Sequence, residues 1–345
     1  MNTEMQISGL CKLGIYIKNQ ISGFPENLTI EDPELDAVLR QSEAENPWFS
    51  IENQLFALKQ WSALLTDEKI RKWLKNYRKT SLPRKVGLIL AGNIPMVGFH
   101  DVVSVVLSGN IPLIKLSSKD QRMIPFLLKK WNAFSEGNIS YKTVGKLQDF
   151  DAVIATGSNN TARYLEYYFK DCLSIIRKNR TSVAVLKGNE TDDQLQALAE
   201  DIFRYFGLGC RNVTRLLIPE NFALDRLFEN FLNFGEVIHH NKYANNYDYN
   251  RAVYLLNQEK FWDNNFVMLR ESEELFPPLS VLNFSRYKDL SEVKNFLELN
   301  EKDIQCVVAS PELGMGNSVD FGQAQNPSLD TYADNVDTMK FLEVI

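Results

Sequence analysis

One rhythm limits what this chain can fold into: a short, mainly apolar, β-favouring run, a small polar or glycine-bearing turn, then a stretch at helical spacing, repeated. Residues 86–91 run into Gly92-Asn93-Ile94-Pro95 and a helical stretch to Ser108, and 111–116 run into a helix over 120–134. Residues 152–156 lead through Gly157-Ser158 to a helix over 160–170. Strands this apolar are buried on both faces, which requires parallel pairing with helical crossovers, a doubly wound α/β domain. The pattern restarts near Ser182, with strands expected at 183–186, 214–218, 279–284 and 304–309 and helices at 192–206, 222–234 and 290–299. Residues 1 to about 80 form a mainly helical lead-in. The expected divisions are 1–180, 181–330 and a tail of 331–345, with the break at 177–181.

With 345 residues and 44% apolar content the chain can bury a large core. The four cysteines, Cys11, Cys172, Cys210 and Cys306, lack C-x-x-C spacing, so neither a zinc site nor a disulfide framework is indicated. There is no leader pattern and no long apolar run, so a reduced, cytoplasmic setting without a membrane span is expected. A net charge of −6 argues against nucleic acid as a partner. Three basic runs, Lys75-Asn76-Tyr77-Arg78-Lys79, Arg84-Lys85 and Arg177-Lys178-Asn179-Arg180, read as solvated faces or as contacts for the phosphates of a small anion.

Cys210 lies in Phe206-Gly207-Leu208-Gly209-Cys210-Arg211-Asn212-Val213, between a helical run and a strand. Glycine permits positive φ and the close approach of another molecule. Arg211 and Arg215 supply cationic charge that favours a thiolate, hence a nucleophile. The competing reading is a small buried hydrophobe in a connection. Ligands of open α/β sheets bind beyond the carboxyl ends of strands, which would gather Asn93, Lys115, Gly157, Ser158 and Cys210 at one edge. No G-x-G-x-x-G fingerprint is present.

In order along the chain, Asn93-Ile94-Pro95, Ser108-Gly109-Asn110 with Lys115-Leu116-Ser117-Ser118, Thr156-Gly157-Ser158, Cys210 through Arg215, and Glu273-Glu274-Leu275-Phe276-Pro277-Pro278 resemble the motifs of the aldehyde dehydrogenase superfamily. Leu90-Ala91-Gly92-Asn93-Ile94-Pro95, Lys115 to Asp120 and Phe206 to Val213 most resemble LuxC-type fatty acyl-CoA reductases. The resemblance implies two doubly wound α/β domains with the active site between them, and NADPH-dependent reduction of an acyl thioester to an aldehyde. It also implies Cys210 as nucleophile, Asn93 as oxyanion donor and no metal. Lys115 and Ser117 then contact the adenosine ribose or its phosphate, Gly157 and Ser158 the diphosphate, and Glu274 the nicotinamide ribose. The donor would be acyl-CoA or an acyl-carrier thioester, and subunits of the family pair as homodimers.

Two departures from the hydrolytic members carry chemistry. Their general-base glutamate is matched here by Arg177 or Lys178, so no carboxylate activates water and the acyl-enzyme persists to accept hydride. Their ribose-binding acid is matched by Ser118, followed by Lys119, which favours NADPH over NADH.

Each residue has a plainer reading. Asn93 would cap the following helix, Gly157-Ser158 would be a turn, Lys115 a solvated strand end and Glu274 loop polarity. His239-His240 would be a surface loop, His100 a core residue or a proton donor near the site, and Tyr164, Tyr167 and Tyr168 a core stripe or an acyl-chain contact. An acyl-phosphate reductase on the same fold and a non-catalytic binding or scaffold protein are the rival functions.

Overall fold

The computed structural model describes residues 2–26, 29–80, 82–315 and 318–345. The chain divides into two compact units, Met1–Asn179 with Ser328–Ile345, and Arg180–Pro327.

The first unit opens with helices α1 (Thr3–Gln20), α2 (Pro33–Glu45), α3 (Ile51–Leu64) and α4 (Asp67–Leu74). Each starts where a side chain accepts an otherwise unpaired amide: Asn2, Asp32, Ser50 and Thr66 are the caps. Then follow β1 (Lys85–Ile89), α5 (Phe99–Leu107), β2 (Ile111–Lys115), α6 (Met123–Phe134), β3 (Lys142–Thr143), β4 (Ala152–Thr156), α7 (Asn159–Tyr168) and β5 (Leu173–Arg177). The sheet order is β3-β2-β1-β4-β5, parallel throughout. Val86, Leu88, Ile114, Val153 and Ile154 are at most 1% exposed, and each such side chain contributes about 1.5–3 kcal/mol by leaving water.

The second unit contains β6 (Thr181–Val185), α8 (Asp192–Phe203), β7 (Val213–Pro219), α9 (Asp225–Phe231), α10 (Asn241–Leu256), β8 (Trp262–Asp263), β9 (Met268–Glu271), β10 (Val281–Tyr287), α11 (Leu290–Leu299), β11 (Ile304–Ala309) and β12 (Ser318–Val319). Its sheet runs β12-β11-β6-β7-β10-β9-β8, with only β8 and β9 antiparallel. One large core joins Leu198, Leu216, Phe231, Phe284 and Val308 from the helices and the central strands.

The chain then returns to the first unit, ending in α12 (Thr338–Glu343). Trp73 Nε1 donates to the Tyr332 hydroxyl at 2.7 Å, and Tyr332 donates on to the Tyr77 hydroxyl at 2.9 Å. Residues 328–345 are thus built into the helical layer that opens the chain. Among the described residues no helix is long and apolar enough to cross a membrane.

Candidate active site

Within the first unit, five of the expected site residues lie at one sheet edge. β1 pairs with both β2 and β4, so the strand order reverses across it. The loops leaving the carboxyl ends of β1, β2 and β4 carry Asn93, Ser117, and Gly157 with Ser158, and Lys115 ends β2 itself. Register places Ile89 beside both Lys115 and Ala155. Such a reversal leaves a crevice beyond the strands, where ligands of open α/β sheets bind.

Asn93 is exposed and is not a helix cap: α5 begins at Phe99, its cap position is Gly98, and no side chain bonds there. The loop that presents Asn93 is held from the turn after β2. Gly92 packs so tightly that a Cβ would stand 2.5 Å from Ser117 Oγ. The Lys119 amide donates to Ser117 Oγ at 3.2 Å. Asp120 was expected to begin a helix, but α6 starts at Met123, and Asp120 Oδ2 instead accepts the Met96 amide at 3.1 Å. That bond fixes Met96 at φ 58°, a left-handed conformation that an ordinary side chain seldom adopts. Asp120 is 4% exposed, and burial pushes its carboxyl up to about 6.

Ser158 caps α7, its Oγ accepting the Thr161 amide at 3.3 Å, while the Gly157 amide donates to the Arg177 carbonyl at 3.1 Å. The turn reading of Gly157-Ser158 therefore describes its geometry. That geometry also puts the start of a ten-residue helix beyond β4, where unpaired amides attract anions. A Cβ on Gly157 would stand 2.8 Å from Thr161 Cγ2, so glycine is required for α7 to begin this close to the strand.

Several readings are corrected in this unit. Tyr164, Tyr167 and Tyr168 do not pack in the core but are 70%, 76% and 67% exposed, because the helix meets its neighbours through Ala162, Leu165 and Phe169. Arg177 is not part of a solvated run. It ends β5, is buried, and its guanidinium grips both oxygens of Asp101 at 2.5 and 2.9 Å and the Thr338 hydroxyl at 3.0 Å. Lys178 pairs with Glu166 at 2.8 Å on the surface. His100 is a satisfied interior residue: Nε2 bonds the Leu329 carbonyl at 2.8 Å, the ring packs on Trp73 and Tyr332, and burial lowers its pKa.

In the second unit, Cys210 is half-buried in the turn entering β7. α8 stops at Phe203 rather than 206, since Tyr205, Phe206 and Gly207 take φ of 56°, 57° and 76°. Left-handed geometry at the two non-glycine residues costs about 1–3 kcal/mol each, so the surroundings must hold it. Asn212, fully buried, does so. Its Oδ1 accepts the Gly209 amide at 2.8 Å, and its Nδ2 donates to the carbonyls of Asp201, Ile202 and Arg204 at 3.1, 3.2 and 2.8 Å. The Cys210 carbonyl is tied in turn by Ser182 Oγ at 3.1 Å.

The expected edge for Cys210 is corrected: it precedes β7 and so lies at the amino end of that strand, because it closes a helix-to-strand crossover. The expected cationic neighbours are partly engaged elsewhere. Arg211 donates to the Ala324 carbonyl and reaches Cys306 Sγ at 3.6 Å. Arg215 is 1% exposed, lies over the Phe296 ring at 4.3 Å, and bonds the Glu273 carbonyl and Ser285 Oγ.

Arg215 thereby helps position Glu274. Thr214 Oγ1 donates to the Leu275 carbonyl at 2.8 Å and Asn283 Nδ2 to the Glu274 carbonyl at 2.9 Å, so three side chains clamp 273–275 beside the start of β7. The Glu274 carboxylate itself is 66% exposed and meets Arg270 at 3.1 Å. Cys210 and Glu274 are thus brought to the same end of one sheet. The loop after β12 also reaches this turn. Asp201 accepts the Gly322 and Ala324 amides at 2.6 and 2.8 Å, and burial pushes its carboxyl up to about 7.

His239-His240 is a helix boundary rather than a plain loop: His240 caps α10, which the sequence did not announce, and stacks on Phe206 at 4.4 Å. Asp120, Asp201, Asn212 and Asn283 were missed. For Asn212 the partner is close, the Gly209 amide three residues back, but the usual asparagine turn bond runs the other way and gives no signal for it. For the others the partners lie outside the local segment, nine residues away for Asn283, 24 for Asp120 and 121 to 123 for Asp201.

The family model for acyl-CoA reductase (LuxC) matches residues 54–222, the stretch from Asn93 to Cys210 included. No curated protein matches the sequence. Among solved structures the chain is similar to aldehyde dehydrogenase 21 of Physcomitrella patens, at 12% identity over 99% of this chain and 85% of that one, with a TM-score of 0.65. It is similar also to an acetylating aldehyde dehydrogenase of Geobacillus thermoglucosidasius, at 10% identity over 99% and 90% of the two chains, TM-score 0.61. A third is aldehyde dehydrogenase C of Pseudomonas syringae, solved with NAD+ and octanal, at 12% identity over 91% and 74%, TM-score 0.62. The fold is the aldehyde dehydrogenase fold. Over residues 54–222 the chain is thus similar to the acyl-CoA reductase (LuxC) family, and its fold is that of the aldehyde dehydrogenases.

Proposed function

We propose that the protein is a cytoplasmic acyl-CoA reductase that uses NADPH to convert an acyl thioester, with fatty acyl-CoA as the donor, into the aldehyde through an acyl-Cys210 intermediate. Residues 1–180 would hold the cofactor and 181–330 would carry the nucleophile. The observation that carries the reading is the LuxC match, because the same stretch contains Asn93, Lys115, Ser117, Gly157, Ser158 and Cys210.

The residues fit a dinucleotide by the chemistry of their donors. Gly157 and the Ser158-capped start of α7 suit a diphosphate, and Lys115 and Ser117 suit the adenosine ribose or its phosphate. Ser118 and Lys119 are exposed there, and the one carboxylate of the turn, Asp120, is buried away, which favours the additional phosphate of NADPH. Glu274 would hold the nicotinamide ribose. Bound in this way, the cofactor supplies hydride.

The protein's own part is acyl capture. The Cys210 thiolate attacks the thioester carbonyl, the new C–S bond forms, and the coenzyme thiolate departs with the electron pair of the old one. The Asn93 amide and the Cys210 amide would hold the oxyanion, and one such donor is typically worth about 10²–10³ in rate. With Arg177 bound to Asp101 and Lys178 to Glu166, neither offers a base to water, so the acyl group stays on sulfur until reduced and then leaves as aldehyde.

Intact mass after mixing with acyl-CoAs of graded length, without NADPH, tests the reading. A mass gain equal to the acyl group in wild type and none in Cys210→Ala is expected. NADPH consumption with acyl phosphate and none with any acyl-CoA would sink it in favour of the rival donor.

A further inference from the structure

The opposite edge of the five-stranded sheet holds a cleft that this chemistry leaves unused. It lies where β2 begins: the Thr80 amide bonds the Ser108 carbonyl at 3.0 Å, and the Ile111 amide bonds the Arg84 carbonyl at 2.8 Å. The cleft encloses 270 Å³. At a liquid share of about 30 Å³ per water, this is room for roughly nine waters or a small organic ligand.

Its floor and rim differ in character. Ile7, Leu107 and Met339 form an apolar floor, at 4%, 2% and 1% exposure. The lining residues include four cations, and the nearby Glu343 carboxylate accepts the Arg78 backbone amide rather than pairing with a side chain there. Arg71 is already neutralised by Glu4 at 2.7 Å and Asp67 at 2.9 Å. Lys75, Arg78 and Lys79, the first basic run of the sequence, have no ion-pair partner among the described residues.

Lys79 is the telling member. A Cβ on Gly109 would stand 2.8 Å from its Cε, so its stem lies along the backbone there, and its Nζ donates to the Thr3 hydroxyl at 2.5 Å. Burial draws its pKa below the ordinary lysine value, and no carboxylate acts the other way. A partly dehydrated ammonium held by one neutral hydroxyl gains from an anion. Three cations, one a planar fork, suit a dianionic phosphate better than a single carboxylate.

We propose that this cleft binds a phosphate monoester carrying a short apolar group, with the phosphate on Lys75, Arg78 and Lys79 and the apolar group on Ile7, Leu107 and Met339. The site is separate from the Cys210 chemistry and does not depend on it.

Calorimetric titration of the whole protein with hexyl phosphate, inorganic phosphate and hexanol tests the proposal. Hexyl phosphate should bind one site, about tenfold or more tighter than inorganic phosphate, because part of its chain leaves water, while hexanol should not bind. Its affinity should fall at least about tenfold in Arg78→Gln/Lys79→Gln, through lost charge-assisted bonds, and should weaken as salt is raised. Cys210→Ala should bind as wild type does. Equal affinity in the double variant, an ester no tighter than inorganic phosphate, or competition by NADPH would each overturn the assignment. Should the double variant unfold, Arg78→Gln alone, at an exposed side chain, decides by the same criteria.

Discussion

Asn212 Oδ1 accepts the Gly209 amide at 2.8 Å, while its amide nitrogen bridges three carbonyls at the end of α8. One buried side chain therefore sets both where the helix stops and where the Cys210 turn begins. Asn212→Ala leaves a buried donor and several carbonyls without partners, a loss of about 3 kcal/mol. Thermal unfolding should drop by about 6–12 °C. Cys210 alkylation by iodoacetamide should change in rate, since the turn is no longer held.

Asn93 lies five residues ahead of the α5 cap position and does not cap that helix. If it serves the oxyanion, Asn93→Ala should lower kcat by about 10²–10³ in protein that still melts cooperatively. Steady-state kinetics with an acyl-CoA, beside a melting curve, checks both halves. An unchanged kcat would remove Asn93 from the mechanism.

The Asp101–Arg177 pair is buried at both ends, with side chains 6% and 7% exposed. Removing one partner strands the other charge, so Asp101→Ala or Arg177→Met alone should cost about 3–5 kcal/mol. The double variant Asp101→Leu/Arg177→Met should cost clearly less than the sum of the two. A double-mutant cycle by urea unfolding measures the difference.

Asp120 gives a pH signature. Its carboxyl titrates near 6 when folded against an ordinary 3.8, so between those values the folded state holds the extra proton. Stability from this group is full below about pH 4, declines as pH rises to about 6, and is level above. Asp120→Asn should flatten that decline in urea midpoints taken from pH 4 to 8. A wild-type profile that instead rises through this window in parallel with the variant would contradict the assignment.

The parts of the fold that were legible in the sequence are those whose signal is local. β4 and β11 are mainly apolar runs bounded by turns, interrupted only by Thr156 and Gln305, and both fall where expected. The two-residue strands β3 and β8 carry no pattern to detect, and β5 was hidden because Arg177 looked like the start of a surface run. Its charge is buried only because Asp101 approaches from α5, 76 residues away. α10 was missed because its buried face is made of Tyr243, Tyr247, Asn250 and Tyr254, whose polar atoms mask the period. The site follows the same rule. The residues that would touch ligand stand in recognisable short motifs, whereas Asp120, Asn283 and Asp201, which hold the loops in place, find their partners through the tertiary fold.

The return of residues 328–345 to the first unit fixes an order of assembly. On the ribosome, residues up to 179 emerge first but lack Tyr332 for Trp73, Thr338 for Arg177 and the Leu342 carbonyl for Asn110. The later-made unit is continuous in sequence and can close as soon as it is released. The earlier-made one must wait, its Asp101–Arg177 region incomplete, until residues 328–345 arrive.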